Sequence, residues 1–358
     1  MTAAEVGPID PHPQCVVVAS PGNAPREDAA ARLAEAYLAQ HAGVPVARTS
    51  LLLAAVPQAA AMRLTGVTPG GARAAVAGDF AALAGRLKDD PLVATLAAGG
   101  IERAADELAG AGTSAVLACG DLAAGIAAEA SAGRWLTAAL LPHFDPVTCW
   151  LHPGVALWFV PCAEARDELV VRGVPFDRVA VTGVPSAAPA PPARERFAVG
   201  VLPERVTPGG RALVRGLASL GVPVLIATGD DARLASDLGA AATGAVRAVP
   251  GPDAQAEVLA SASVAVCSAD SPHVFAALAA GVPLVVHEAP DERALRDGDF
   301  LVDVGAALPA RDEDDAVARV RFLATHPDRL SEMAEDSRAL GRPDATKALC
   351  ERFLAGIR

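Results

Sequence analysis

The sequence predicts an α/β protein of two Rossmann-like domains, each built on a parallel, doubly wound sheet. Three observations predict this fold class. Short apolar runs alternate with segments of helical pattern, and a proline-rich stretch divides that pattern into two halves. The chain of 358 residues is longer than a domain with a single hydrophobic core usually is. Its composition, 52% apolar and 20% charged, is typical of a well-buried globular protein. We expect the two domains to face each other across a cleft.

The segment 150–186 predicts where the first domain ends. Residues 156–160 are an apolar run stopped by a proline, which is typical of a buried parallel strand. A helix over 162–172 follows, and Gly173 stands where a left-handed cap belongs. After a strand over 179–181, alanines and prolines form a stiff spacer. The predicted divisions are an amino-terminal domain over 1–186, a linker over 187–196, a carboxyl-terminal domain over 197–340 and a final helix within 341–358 that packs back on the first domain.

The other elements alternate between strand and helix. The first domain has predicted strands over 15–20, 44–48, 115–119 and 135–141 and predicted helices over 26–40 and 101–109. The second has predicted strands over 197–201, 222–228, 246–249, 264–267 and 282–287. Its predicted helices cover 210–220, 232–238, 254–260, 273–280, 312–325, 327–340 and 347–357. The sequence does not indicate a role for the alanine-rich stretch 51–96.

Charge and composition exclude several classes of protein. A net charge of −12 opposes nucleic-acid binding, which requires a basic face. The six cysteines are scattered, so the sequence predicts neither a disulfide framework nor a zinc site. No run approaches the roughly 20 apolar residues that span a bilayer, and the amino terminus does not read as a signal peptide. We therefore expect a cytoplasmic protein.

Residues that follow strands are the candidate ligand contacts, because parallel sheets bind ligands at the carboxyl ends of their strands. Gly229 directly follows a predicted strand, and Val249 is the last residue of another. Gly209 and Gly210 open a predicted helix, which is consistent either with a phosphate cradle or with a plain turn.

Two segments carry a resemblance to a known family. The first reads WLHPGV from residue 150, FVP from residue 159 and VAVTGVP from residue 179. The second reads AALAAGVPLVVHEAP from residue 276. Together they resemble the monogalactosyldiacylglycerol synthase and processive diacylglycerol glucosyltransferase group, which is related to the MurG lipid-sugar transferases.

The resemblance implies a fold and an activity. The fold is the two-domain glycosyltransferase B fold. The activity is transfer of a hexose, with inversion, from a UDP-linked sugar to the hydroxyl group of a lipid or another acceptor. The nucleotide sugar is then a co-substrate, no metal or further cofactor is needed, and the protein works at the inner face of the membrane as a peripheral protein.

Alignment of the second segment with the family gives the candidate residues that would bind the sugar donor. Asp270 and Ser271 fall where the family has paired glycines, and Ala276 falls where it has a glutamate that holds the ribose. His273 fits a phosphate contact or a plain helix-end residue. Glu292, Arg293 and Ala294 fall on the family's Gly-Gln-Glu loop, which contacts the sugar, so Arg293 is a basic group that this loop gains. The donor-binding candidates are Gly229 and Val249 from their places at strand ends, and Ser271, His273, Glu292 and Arg293 from this alignment.

Alignment of the first half of the chain with the family gives the candidate residues on the side that would bind the acceptor. The family's Gly-His pair falls on Ala24 and Pro25, while Ser20 and Gly22 agree with the pattern. The acceptor-side residues are Ser20, Gly22, Asn23 and His152, the last of which fits a motif residue or an anchor of its own turn. His143 follows a predicted strand and fits a loop residue or a base, with Asp145 as the carboxylate that steers the imidazole. We take His143 and Asp145 as the catalytic candidates.

Three hypotheses follow from these residues. The first is an active hexosyltransferase with a rebuilt donor site. The second is an inactive relative that binds or scaffolds a partner protein, because three sites depart from the family pattern. The third is another two-domain enzyme such as a sugar-nucleotide epimerase, which the resemblance of the 150–186 segment to lipid glycosyltransferases disfavours.

Overall fold

The computed structural model describes residues 15–22, 24–51, 91–149, 151–187, 190, 196–203, 208–239, 245–287 and 292–357. Asn23, residues 52–90 and most of the predicted linker lie outside this part of the chain. The chain divides into two compact units, Met1–Pro185 with Ala345–Arg358, and Ser186–Asp344. They are called the amino-terminal and the carboxyl-terminal unit below. None of the helices among the described residues combines the length and the apolar character that a membrane crossing requires.

A parallel sheet forms the centre of the amino-terminal unit. Its elements are β1 (Cys15–Ser20), α1 (Pro25–His41), β2 (Val46–Ser50), α2 (Pro91–Gly110), β3 (Thr113–Cys119), α3 (Asp121–Ser131), β4 (Leu136–Leu140), β5 (Leu157–Val160), α4 (Ala163–Val171), β6 (Val179–Val181) and, at the end of the chain, α12 (Ala345–Gly356). Short 3-10 helices at Pro146–Thr148 and Phe176–Arg178 lie in its loops. The described strands are ordered β2-β1-β3-β4-β5-β6, and each neighbouring pair is parallel.

A second parallel sheet forms the centre of the carboxyl-terminal unit. Its elements are β7 (Val199–Val201), α5 (Pro208–Ala218), β8 (Val224–Gly229), α6 (Ala232–Gly239), β9 (Val246–Pro250), α7 (Ala254–Ser261), β10 (Val264–Cys267), α8 (Val274–Ala279), β11 (Leu284–Val286), α9 (Glu292–Asp303), β12 (Ala307–Pro309), α10 (Glu313–Thr325) and α11 (Pro327–Leu340). The described strands are ordered β12-β11-β10-β7-β8-β9, again all parallel. The prediction of two parallel-sheet α/β domains is therefore confirmed.

Apolar runs become strands because both faces of each sheet are covered by helices. In β1, the side chains of Val16, Val17 and Val18 are all buried, which is the burial that parallel sheets require. The predicted cap of α4 is also confirmed. Gly173 has a φ of 95°, and the N–H of Val174 donates to the carbonyl of Leu169 at 3.0 Å.

Three elements are not among the sequence predictions. Helix α3 is rich in alanine and almost entirely buried, so its sequence has no polar face to reveal a helical period. Helix α9 buries Ala294, Asp297 and Leu301, but the family alignment treats its start as a loop. Strand β12 is only three residues long. The missed elements are therefore a buried helix, a misaligned helix and a strand of three residues.

The last helix of the chain completes the amino-terminal unit. Helix α12 packs on α1 and β5. The Tyr37 hydroxyl donates to Glu351 Oε1 at 3.4 Å, and the Cys350 thiol lies 3.8 Å from the carbonyl oxygen of Ala34. Leu349 and Phe353 are fully buried. The core of this unit therefore combines residues before 186 with residues after 344.

Gly341 makes a close backbone approach between α11 and α8. A Cβ atom at this position would lie 2.7 Å from the carbonyl carbon of Leu278 and 2.9 Å from the Cα of Ala279. We expect Gly341→Ala to lower the free energy of unfolding by about 3 kcal/mol, because backbone must move to admit the methyl group. Gly110→Ala is the matched control, since nothing lies within 4 Å of its new Cβ.

Urea denaturation of both variants, followed by circular dichroism, measures this difference. The control should unfold at the wild-type midpoint or slightly above it, because alanine is the better helix former. Equal midpoints for the two variants would contradict the close approach at Gly341.

Candidate functional site

The strand order creates a switch point at the carboxyl edge of the amino-terminal sheet. From β1 the chain moves to β2 on one side and later to β3 on the other, and ligands bind at such points in open α/β sheets. The residues that follow these strands are Ser20 and Gly22 after β1, Gly120 after β3 and His143 after β4. Three of the sequence-predicted residues are thereby brought to one edge.

Buried polar side chains gather at this edge. Each is less than 9% exposed, although its neighbours are apolar core. Buried charged side chains destabilise a fold unless they have partners. We therefore interpret the cluster as a specific feature of this sheet edge. Its members among the described residues are Ser20, Arg26, Glu27, Asp121 and His143.

Glu27 and His143 form the centre of the cluster. The Nε2 atom of His143 lies 3.3 Å from Oε1 of Glu27, and the residues are 6% and 8% exposed. Burial by itself raises the pKa of the Glu27 carboxyl, but the hydrogen bond and charge of His143, a backbone N–H and the charge of Arg26 outweigh it and hold that pKa below its ordinary value. Glu27 is therefore ionised at neutral pH.

Arg26 fixes the backbone beside this pair. Its Nη1 donates to the carbonyl oxygen of Pro142 at 2.8 Å. Gly120 leaves space for the Glu27 side chain, because a Cβ atom at this position would lie 3.1 Å from Glu27 Cγ. The φ of 98° at Gly120 also favours glycine. The first turn of α1 and the ends of β3 and β4 are thus locked together.

The lowered pKa of Glu27 predicts a pH dependence of stability. A carboxyl whose pKa is depressed on folding stabilises the protein above its unfolded pKa, and this stabilisation is lost as the pH falls through the lower folded value. We expect the difference in unfolding free energy between wild type and Glu27→Gln to be full at pH 6–7 and to shrink below about pH 4.5. Urea denaturation between pH 7 and pH 3.5 measures it, and a difference that grows on acidification would contradict the assignment.

Asp145 and Gly22 serve local turns. Asp145 accepts the N–H of Val147 at 3.1 Å at the start of a 3-10 helix. The structure gives His143 the carboxylate partner Glu27, and the role of Asp145 as the carboxylate that steers the imidazole stays a prediction. The N–H of Gly22, whose φ is 86°, donates to Asp28 Oδ1 at 2.9 Å. Gly22 thus closes the loop between β1 and α1.

His152 does not join this edge. It precedes β5, so it lies at the amino end of that strand, opposite the carboxyl ends where Ser20 and His143 lie. Its Nε2 is 2.7 Å from Glu129 Oε2, and its Nδ1 accepts the N–H of Gly154 at 3.0 Å. These contacts are those of a turn anchor, the second of its two sequence interpretations.

The predicted donor residues share one edge of the carboxyl-terminal sheet. Here the switch point lies between β7 and β10. Ser271 and His273 follow β10, Arg293 and Glu292 follow β11, and Gly229 ends β8. Val249 lies near the end of β9, and its carbonyl accepts the hydroxyl of Thr228 at 3.1 Å.

The loop after β10 is held by its own hydrogen bonds. Ser271 is fully buried, and its Oγ accepts the N–H of His273 at 3.2 Å. The Ser268 hydroxyl donates to Asp270 Oδ1. Burial lowers the pKa of His273 to about 4. The imidazole of His273 is therefore neutral at pH 7 and offers one donor and one acceptor.

The start of α9 supplies charged groups to the same edge. Glu292 is exposed and forms an ion pair with Arg296 at 2.8 Å, one helical turn away. Arg293 is partly buried in the first turn of α9. Gly298 packs closely on the loop after β10, since a Cβ there would lie 3.3 Å from Ala269 Cβ. Among the described residues, no group of three or more His, Cys, Asp or Glu side chains could hold a metal ion.

The sequence reasoning missed Arg26 and Glu27. A signal for Glu27 was present, because the buried residues Leu38, Ala34 and Ala31 of α1 form a stripe at helical spacing. Extending that stripe by one turn toward the amino terminus reaches Glu27. The pattern that marks Glu27 is therefore a charged residue on the buried face of a helix that follows a strand.

Comparisons with known proteins identify the fold. No protein-family model matches the chain. One curated relative, UDP-N-acetylglucosamine--N-acetylmuramyl-(pentapeptide) pyrophosphoryl-undecaprenol N-acetylglucosamine transferase from Azotobacter vinelandii, is 34% identical over 110 residues. This match covers 29% of the chain and 31% of the relative, so the chain spans about a third of that protein. The crystal structure of MurG from Acinetobacter baumannii superposes with a TM-score of 0.64 at 17% identity, over 95% of this chain and 99% of that one. The chain has the glycosyltransferase B fold.

Proteins with other activities also have the glycosyltransferase B fold. The structure of UDP-GlcNAc 2-epimerase from Neisseria meningitidis, bound to UDP-GlcNAc, superposes with a TM-score of 0.57 at 12% identity. It covers 95% of this chain and 99% of its own. Such likeness shows the fold alone, because function depends on the residues of the site.

Proposed function

We propose that the protein is a glycosyltransferase that moves a hexose from a UDP-linked sugar to a hydroxyl group, with a lipid as the acceptor class. The buried pair of Glu27 and His143 at the carboxyl edge of the amino-terminal sheet is the observation that carries this proposal. The names of the compared proteins support the donor, because the transferase and the epimerase both act on or bind UDP-N-acetylglucosamine.

His143 is the proposed general base. Transfer to a hydroxyl group requires removal of its proton as the oxygen attacks the sugar, and imidazole is the side chain suited to that step near pH 7. His143 is held against a carboxylate on a rigid edge of the sheet. Ser20 and Gly22 at the same edge are proposed to line the acceptor, together with Asn23, while Asp145 shapes the loop that carries the base.

The proposed donor site combines neutral groups with one cation. The Ser271 hydroxyl and the neutral His273 imidazole can donate hydrogen bonds to phosphate oxygens, and Arg293 supplies positive charge for the departing diphosphate. The negative charge of Asp270 is moderated by the Ser268 hydroxyl and that of Glu292 by Arg296. Gly229 and the Val249 segment are proposed to border the nucleoside.

A second candidate function is binding without transfer, as an inactive relative of such enzymes. The observation that favours it is Ala276, which stands where the resemblance requires a glutamate for the ribose. This residue is 1% exposed, so its methyl group is part of the core. In this case the protein would act through a partner protein. Either function fits a peripheral position at the inner face of the membrane.

A transfer assay with the full chain tests the proposal. UDP release is measured with UDP-glucose, UDP-galactose and UDP-N-acetylglucosamine, each with and without diacylglycerol in mixed micelles. We expect acceptor-dependent release that falls about 10²–10⁴-fold in His143→Gln. His41→Gln is the matched control, because His41 is exposed and stacks on Tyr37.

The outcomes separate the two functions. Acceptor-dependent release that is lost in His143→Gln and kept in His41→Gln supports transfer. Binding of UDP-sugars without release, in a folded sample with several acceptors, would support the inactive function. Equal rates for His143→Gln and wild type would contradict the proposed base.

A further inference from the structure

We infer, on the basis of the proposed function, that His273 takes up a proton from solvent when the diphosphate of the UDP-linked sugar binds beside its ring. The imidazole is neutral in the free protein and becomes an imidazolium in the complex. The affinity for the donor therefore rises as the pH falls below neutrality.

The backbone of His273 is fixed at the carboxyl end of β10. Its N–H donates to Ser271 Oγ at 3.2 Å, and its carbonyl oxygen accepts the N–H of Ala277 at 3.0 Å. The turn before it is closed by the N–H of Ser271, which donates to the carbonyl oxygen of Ser268 at 3.2 Å. The imidazole is thus carried at a defined place beside the switch point between β7 and β10.

The ring of His273 has no hydrogen-bond partner within the part of the chain that the structure describes, although the residue is only partly exposed. Polar groups in such surroundings normally have partners, so an imidazole without one requires an explanation. A ligand that brings hydrogen-bonding oxygens to the ring supplies the missing partner, and the partial exposure of His273 leaves a path for it. Phosphate oxygens are strong acceptors of this kind.

Protonation of the ring follows from the charge of that ligand. Burial lowers the pKa of His273 to about 4, so the free protein holds the ring neutral at pH 7. A neutral imidazole has one N–H donor and one lone pair, and the lone pair repels a phosphate oxygen. A bound diphosphate raises the pKa of His273, because a nearby negative charge favours the imidazolium. Both ring nitrogens are then donors.

Charged and titratable groups of both signs surround the loop that carries His273. Helix α8, which begins after it, packs on α7 and α11. Asp270 in the loop accepts the Ser268 hydroxyl, and Arg338 of α11 lies beside Gly281 at the other end of α8. The further groups on neighbouring elements, within the described residues, are Cys267 at the end of β10, Arg211 on α5, Glu257 on α7, His287 after β11, and Glu292, Arg293 and Asp297 on α9. The lowered pKa of His273 is caused by burial and by none of these charges.

The proposed site gains from a second positive charge. Arg293 is the proposed cation for a diphosphate that carries more than one negative charge, and Asp270 and Glu292 add negative charge at the same edge. An imidazolium at His273 offsets this excess while the ligand is bound and leaves no unpaired buried cation when the ligand is absent.

Calorimetric titration of the full chain with UDP-glucose measures the proton uptake. UDP-glucose is the probe because the terminal phosphate of UDP itself titrates near a pH of about 6. In two buffers of different ionisation enthalpy at pH 6, we expect an uptake of about a quarter to a half of a proton per site. The pKa of His273 is higher in the complex than in the free protein, so binding strengthens as the pH falls through the higher value. The Kd should therefore fall about two- to fourfold between pH 7.5 and pH 5.5.

Two variants assign the uptake to one histidine. In His273→Gln the uptake and the pH dependence of the Kd should be lost. In His326→Gln both should be kept, because His326 is exposed at the end of α10 in the same unit.

Nuclear magnetic resonance of the wild-type chain labelled with ¹⁵N-histidine gives a second measurement that does not depend on how a variant folds. The signals of His273 are assigned among the seven histidines by their loss in His273→Gln. We expect the pKa of His273 to lie well below its ordinary value in the free protein and to rise on saturation with UDP-glucose.

The outcomes separate this proton linkage from the proposed function. Binding of UDP-glucose without proton uptake, uptake that persists in His273→Gln, or an unchanged pKa of His273 on saturation would overturn the inference alone. No binding of UDP-glucose at any pH would overturn the proposed function and the inference together.

Discussion

Replacement of Glu27 by alanine is expected to lower the free energy of unfolding by about 3–5 kcal/mol at pH 7. The reason is that His143 would lose its carboxylate partner in the core, and the nearby charge of Arg26 would lose the negative charge of Glu27. Both residues are less than 9% exposed, so water cannot replace the lost partner without opening the loop after β4. The cost combines the lost hydrogen bond with the loss of a negative charge that compensates buried positive charge.

The matched control for Glu27→Ala is Glu35→Ala on the same helix. Glu35 is partly exposed and lies 3.4 Å from Arg48, and such surface pairs contribute little. Its replacement should change the stability by less than about 0.5 kcal/mol. Urea denaturation of the two variants gives the comparison, and a Glu27→Ala variant as stable as the control would show that the pair is not buried in solution.

Replacement of Phe353 by alanine is expected to cost about 3–5 kcal/mol, the range for a large buried aromatic residue. Phe353 is fully buried on α12, and α12 packs on α1 and β5 although it ends the chain. The variant therefore destabilises a unit whose other elements end before residue 186.

Tryptophan fluorescence reports on the affected unit, because Trp135, Trp150 and Trp158 all belong to it. We expect the unfolding midpoint by fluorescence to fall in Phe353→Ala. Phe322→Ala is the control, since Phe322 is 42% exposed on α10. An unchanged fluorescence midpoint in Phe353→Ala would contradict the packing of the last helix on the first unit.

Most of the fold could be predicted from the sequence, because buried parallel strands are continuous apolar runs. The strands 15–20, 179–181 and 264–267 have the predicted bounds. The exceptions have physical causes. Helix α3 is surrounded by protein, so its alanines carry no amphipathic period, whereas α9 has a clear period that the family alignment obscured.

The candidate site was predictable only in part. Ser20, Gly22 and His143 follow strands, so the rule for parallel sheets brings them to one edge. Glu27 could not be paired with His143 from sequence, because 116 residues separate them and the contact exists only in the tertiary structure. His152 illustrates the reverse case, since it belongs to the motif that carries the resemblance but lies at the opposite end of the sheet.

The donor side differs from the implied family pattern at residues that the structure now describes. Ala276 is core, and Asp270 is hydrogen-bonded by Ser268. Arg293 is the residue on which the proposed site depends for positive charge. The exposed Arg329, which forms an ion pair with Glu332, offers a control for its removal.

Use of a nucleotide sugar is tested by calorimetric titration of the full chain with UDP, UDP-glucose, UDP-galactose and UDP-N-acetylglucosamine, alongside their GDP and TDP counterparts. We expect saturable binding of the UDP compounds. This binding should be weakened at least tenfold, about 1.4 kcal/mol, in Arg293→Ala and unchanged in Arg329→Ala. Absence of binding to every nucleotide by a well-folded sample would contradict the claim that this protein uses a nucleotide sugar.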